Sequence, residues 1–106
     1  MRRLLASVLV LSLAACGAGG VVADYGSVKP VTFVHGGVEW KAYDRADGRV
    51  MMAPTVASIK AAGKTDKWAD PALFQSAAQA WLAPGGCTAG AVKPLMMAQM
   101  EVAYTC

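Results

Sequence analysis

Asp47-Gly48 stands between two short runs of alternating character, and few architectures accept that arrangement. An Asp-Gly pair enters a tight turn with positive φ at little steric cost. The flanking runs are therefore expected to fold back on each other as an antiparallel hairpin. From Val38 to Asp44 the alternation sets Val38, Trp40 and Ala42 on one side and Glu39, Lys41 and Tyr43 on the other. Side chains of a strand repeat every second residue, so one side of this hairpin suits a core and the other suits water. Arg49 to Ala53 is expected to return as the second strand. Pro54, with no N–H to give to a ladder, stops it. Upstream, Val31 to His35 reads as a further strand ended by Gly36-Gly37.

Beyond the hairpin the period changes. Thr55 to Ala62 admits two readings, a short helix capped by Gly63 or a third strand. Asp70-Pro71 is a helix start, an N-cap acceptor followed by proline at the first turn. Phe74, Ala77, Ala78, Trp81 and Leu82 then recur at helical spacing and make one apolar face. Pro84-Gly85-Gly86 ends the helix. Met100 to Cys106 alternates again and is expected to be the last strand. These elements predict an α+β fold, a small antiparallel sheet of hairpin plus C-terminal strand packed on one main helix. Trp81 and Phe74 are expected to bury against Trp40 and Val102.

The N-terminus has a different character. Met1-Arg2-Arg3 precedes a twelve-residue apolar stretch from Leu4 to Ala15. That is the length of a signal-peptide core and short of the roughly 20 residues of a membrane span. The arginines favour holding their end in the cytoplasm. Leu13-Ala14-Ala15-Cys16 follows, and residues 1–17 resemble the signal region of bacterial lipoprotein precursors. The shared pattern is a leucine, two small residues and an obligatory cysteine. The resemblance implies cleavage between Ala15 and Cys16, a diacylglyceryl thioether on Cys16, and acylation of the new amino group. Two or three acyl chains anchor stably where one does not. In the Gram-negative family, Asp after the cysteine marks inner-membrane retention. Gly17 stands there, which implies an outer-membrane lipoprotein facing the periplasm. An ordinary secretory signal cleaved near Ala15 or Ala18 is the alternative.

That resemblance organises the three cysteines. With Cys16 taken by lipid, Cys87 and Cys106 remain, and an oxidising compartment permits a disulfide between them. The bridge would close a 20-residue loop, worth about 3 kcal/mol by loop entropy. The alternatives are two free thiols, or a metal pair that would want more ligands near by. The expected organisation is a signal peptide at 1–15, a lipidated flexible tether at 16–30 and a folded domain at 31–106. Four glycines among residues 17–27 support the tether, whose root-mean-square span is roughly 18 Å.

Chemistry is sparse in the remainder. The formal charge is +3, but without Arg2 and Arg3 eight basic residues face seven acidic ones. No nucleic-acid footprint survives. Ser58 to Thr65 approaches a phosphate loop, yet Ser58 stands where backbone closure on phosphate demands glycine. His35 is the sole histidine, and a catalytic triad would need it beside Ser27, Ser58 or Ser76 and an aspartate. No carboxylates are spaced for general acid–base work. Met51-Met52 and Met96, Met97 and Met100 are soft donors suited to Cu(I), but methionine also fills irregular cores, and Met52 and Met100 lie on strand faces expected to be buried. Lys60, Lys64 and Lys67 read as a solvated surface around Asp66. Trp68, between Lys67 and Asp70, has no place in a core pattern and is the candidate partner-binding residue.

The sequence therefore predicts a non-catalytic binding or envelope-structural domain without cofactor or metal. Its expected partners are a bilayer, through acylated Cys16, and an envelope protein. A small inhibitor or ligand-binding lipoprotein, and a Cu(I)-binding one, are the alternatives.

Overall fold

The computed structural model describes residues 24–106. The expected signal peptide, the expected cleavage after Ala15 and the expected lipidation of Cys16 lie outside these residues. The elements are β1 (Val31–His35), β2 (Val38–Asp44), β3 (Arg49–Pro54), α1 (Val56–Ala62), α2 (Pro71–Leu82), β4 (Thr88–Met96) and β5 (Gln99–Thr105). Single 3-10 turns at Lys67–Ala69 and Ala83–Gly85 bracket α2. The strands form one antiparallel sheet in the order β1-β2-β3-β5-β4, and α2 lies across it, touching every strand. The fold is α+β with one main helix, as the periodicity predicts.

The turns explain the pairing. Gly36 and Gly37 both take positive φ, 61° and 75°. That is the two-residue turn whose twist matches a hairpin, so β1 pairs with β2 from His35↔Val38 onward. The β2–β3 hairpin also forms, but its loop is longer than an Asp-Gly turn. The positive φ angles fall on Ala46 (64°) and Gly48 (90°). Asp44 organises the loop instead, its Oδ1 accepting from the Ala46 amide at 2.8 Å. Gly48 is needed for a second reason. Its carbonyl accepts from the Tyr104 amide at 2.8 Å, and a Cβ there would sit 3.3 Å from the Tyr104 carbonyl oxygen.

Thr55 to Ala62 resolves as helix. The Thr55 hydroxyl accepts from the Ser58 amide at 3.2 Å, and Gly63 closes the helix by donating to the Lys60 carbonyl. At α2, Asp70 Oδ1 accepts from the Ala72 amide at 3.0 Å, with Pro71 following. Phe74, Ala77, Ala78 and Leu82 face the sheet and are buried. Trp40 is fully buried, with its ring edge-on to Phe74 (centroids 5.1 Å apart) and to Trp68 (6.0 Å). Val50, Met52, Met100 and Val102 complete this core. Trp81 departs from the expectation. It is only partly buried and packs on the margin of the core, because the last turn of α2 reaches the end of the sheet.

The sheet holds one strand more than the pattern shows. β4 contains Gly90 and Pro94, which break the alternation. An edge strand tolerates both, and its register with β5 shifts between Ala89 and Val92 and again between Pro94 and Met96. Cys87 and Cys106 form a disulfide just beyond the Thr88↔Thr105 pair, so the bridge closes the open end of the β4–β5 hairpin.

The face of the sheet opposite α2 is covered in part by the segment leading into β1. Tyr25 is buried there, and its hydroxyl donates to Glu101 Oε2 at 2.7 Å. Asp24 pairs with Arg45 at 3.5 Å. The folded unit thus includes Asp24 and Tyr25, residues the glycine-rich composition assigns to the tether, because a large aromatic ring here finds a sheet face to cover.

Candidate functional site

Two of the surface depressions hold the sequence candidates. The first, of about 570 Å³, lies between the end of β1 and the exposed side of α2 and is lined by His35, Gln75, Ser76 and Gln79. His35 Nε2 and Ser76 Oγ are 3.1 Å apart. The structure thus brings the sole histidine to one of the three serines that a triad would use. A nucleophile of this type also needs its base oriented by a third group and needs donors aimed at an oxyanion. Among the described residues no side chain hydrogen-bonds the other histidine nitrogen. Ser76 stands in mid-helix, with its own amide inside the helical ladder. What the contact does is join β1 to α2. The two glutamines beside it reach the other edge of the sheet. Gln75 Nε2 donates to the Gly90 carbonyl at 2.8 Å, and Gln79 both donates to the Cys87 carbonyl (3.2 Å) and accepts from the Ala89 amide (2.8 Å).

The second depression is an apolar groove of about 460 Å³ between the 3-10 turn before α2 and the β4–β5 turn. Trp68, Pro94, Met96, Met97, Ala98 and Met100 line it. Met97 at the tip of the turn is 93% exposed and Met96 is 49% exposed. The turn places Ala98 at a φ of 58° and presents Met97 outward. Thioether side chains are flexible and polarizable, so such a surface adapts to varied partners.

Trp68 is not the exposed residue its neighbours suggest. It is 8% exposed and belongs to the core, with Trp40 against it and the Lys67 ammonium 4.7 Å from its ring centroid. The 3-10 turn after Asp66 rotates the ring inward, which no linear periodicity reports. It still lines the groove. Its indole N–H is buried and has no acceptor among the described residues, as is true of Trp40. A buried donor left in this state costs about 1–3 kcal/mol.

The remaining sequence candidates are dispersed. Met96, Met97 and Met100 share the groove, whereas Met52 is in the core, Met51 is buried on the opposite face of the sheet and His35 lines the other depression. The histidine and the methionines are therefore not one cluster. Among the described residues no three of His, Cys, Asp and Glu come together. Ser58 is committed to structure. Its hydroxyl donates to the Glu39 carbonyl and accepts from the Glu39 amide, both at 3.0 Å, which clips α1 to β2. Lys60 and Lys64 are exposed, as a solvated surface requires.

Two tyrosines have strongly raised phenols, Tyr25 on the outer face of the sheet and Tyr104 on the side of α2. Burial, then the hydrogen bond to Glu101 and its charge, holds the Tyr25 phenol protonated far above the ordinary tyrosine range. The Tyr104 hydroxyl donates to Asp44 Oδ1 at 2.7 Å. That bond, with partial burial, pushes its phenol up to about 12. Both groups lock strands to loops and neither offers a base or nucleophile.

Comparison with protein-family models, with curated proteins and with solved structures finds no match.

Proposed function

We propose that this protein is an exported, lipid-anchored binding module, held to a membrane through Cys16, that receives an envelope protein in the groove between Trp68 and the Met96–Met97 turn. The anchoring half is supported by cysteine pairing. Cys87 and Cys106 bond to each other, which accounts for both cysteines outside Leu-Ala-Ala-Cys and suits an oxidising compartment. An outer-membrane position facing the periplasm follows from Gly17 in a Gram-negative host.

One observation carries the binding half. The groove joins the exposed Met96 and Met97 thioethers at its rim to the Trp68 ring and to Pro94, Ala98 and Met100, an apolar surface open to solvent. A docking peptide would cover the exposed methionines and pack against the Trp68 side of the groove. The groove is shallow and apolar, which fits the side chains of a protein better than a polar metabolite. No chemistry is required of it, so the module is read as non-catalytic.

The test is capture from intact envelopes with the lipidated full chain, read by mass spectrometry. Met97→Glu is the chosen variant, because a side chain this exposed is dispensable for folding. It is expected to lose the captured protein with an unchanged melting temperature; retention of the same protein overturns the groove assignment. Trp68→Ala is a poorer choice, since emptying this part of the core costs about 3–5 kcal/mol. Cu(I) retention that vanishes when Met96, Met97 and Met100 all become Leu would replace the protein partner with a metal. Anchoring is read separately from intact mass. A product that begins at Met1, or one without acyl mass on Cys16, overturns it.

A further inference from the structure

Among the described residues β1 is the outer strand of the sheet on one side and pairs only with β2. Its pairing can be read bond by bond. A two-residue turn closes on a hydrogen-bonded pair, so the rungs fall on His35↔Val38, Phe33↔Trp40 and Val31↔Ala42. The amides and carbonyls of the intervening Thr32 and Val34 point away from β2. β2 shows the matching alternation on its other side. The Glu39 carbonyl accepts from the Thr55 amide and the Glu39 amide donates to Ser58, both toward β3. No hydrogen bond among the described residues engages the outward groups of Thr32 and Val34.

This edge is also apolar. Val-Thr-Phe-Val-His carries no acid, lysine, arginine or proline and pairs in unbroken register. Val31 is 52% and Val34 70% exposed. Strand edges of this kind are templates for another strand.

We propose that β1 pairs antiparallel with β1 of a second copy, centred on Phe33, to join two sheets into one. The arrangement is self-complementary. With Phe33 opposite Phe33, Thr32 of each copy lies opposite Val34 of the other. These are the residues whose main-chain groups face outward, so each pair exchanges both of its N–H···O=C bonds. A shift of one residue would set outward groups against inward ones and lose the bonds. No like charges meet, since the strand carries none. On the outer face Thr32 packs beside Val34 of the neighbour. On the α2 face the half-buried Phe33 rings meet across the seam.

The symmetry has a further consequence. The two-fold axis of such a pair stands perpendicular to the sheet, so both outer faces look the same way. Each copy carries Asp24 and Tyr25 on that face. Both lead-in segments therefore lie on one side of the joined sheet, the arrangement that two copies attached to one bilayer require. The pairing itself rests on no lipid. A seam five residues long is small for a stable dimer, and anchoring as proposed above raises the local concentration that favours it.

The test uses the full chain in detergent at rising protein concentration, with mass read by sedimentation. Wild type is expected to move from monomer to dimer. Val34→Lys is expected to weaken that association about tenfold or more, with the melting temperature unchanged. In mixtures, a Thr32→Cys copy and a Val34→Cys copy are expected to form a disulfide between copies on oxidation. Ala91→Cys, on the opposite edge strand, is expected to form none. A chain that stays monomeric throughout, a dimer that survives Val34→Lys, or cross-linking through Ala91 overturns the proposal. So does a monomeric wild type that loses a different captured protein upon Val34→Lys, which would assign the edge to that protein. Intact mass of the same sample reports the lipid on Cys16, so failure of the anchor and failure of the pairing are read apart.

Discussion

β1 and β4 both border the sheet, and they meet their surroundings in opposite ways. β4 carries Lys93 and Pro94 and is interrupted by two register shifts, devices that discourage pairing with another strand. Gln75 and Gln79 of α2 also occupy backbone groups at Cys87, Ala89 and Gly90 that β5 leaves open. The disulfide then fixes the end of β4 to the end of β5. β1 has none of these. It is short, regular, uncharged and exposed at Val31 and Val34. The contrast teaches that this fold protects one edge with side chains of the helix that precedes it and leaves the other open to a strand of its own kind.

The largest effect is expected from unlocking the protected edge. Replacing Cys87 and Cys106 together with serine is expected to cost about 3 kcal/mol in urea unfolding, from the 19-residue separation that the bridge spans. A cost near zero would mean that the glutamines and the β5 ladder suffice without it.

Gln79→Ala comes next. It removes an acceptor from the Ala89 amide and a donor from the Cys87 carbonyl, both partly buried. The expected loss is about 1–2 kcal/mol, with new concentration-dependent association because β4 is uncovered. Unchanged stability and unchanged association would show that the shifts and Pro94 already silence this edge.

The smallest perturbation is exchange of amide hydrogen for deuterium. In dilute protein the Thr32 and Val34 amides are expected to exchange near the unprotected rate, while the Ala89 amide, held by Gln79, is slowed. Raising the concentration is expected to protect Thr32 and Val34 and to leave Ala89 unaltered. Equal protection of both edges in dilute protein would erase the contrast.

Much of the frame is legible along the chain. Four strands and the main helix stand where local patterns place them, since alternation, the Asp70-Pro71 cap and the Gly36-Gly37 break act within a few residues. β4 is illegible because Gly90 and Pro94 disrupt its alternation, and only pairing with β5 makes it a strand. The disulfide follows from arithmetic on three cysteines. The groove is illegible for another reason. Met96, Met97 and Met100 show as a cluster, but Trp68 joins them only when the sheet brings β4 and β5 to the turn before α2.

The amino-acid sequence by itself determined the hairpins, the caps and the apolar face of α2, because these depend on side-chain period and turn chemistry within a single element. Only the tertiary structure decided that Tyr25 covers Glu101, that His35 meets Ser76, that Trp68 turns inward and that one edge of the sheet is sheltered while the other is bare. The first two join groups 76 and 41 residues apart, and the others depend on how separate elements pack and on which strand is left without a neighbour. A pattern read along the chain has no access to such distances, whereas burial and hydrogen bonding across the sheet respond to nothing else.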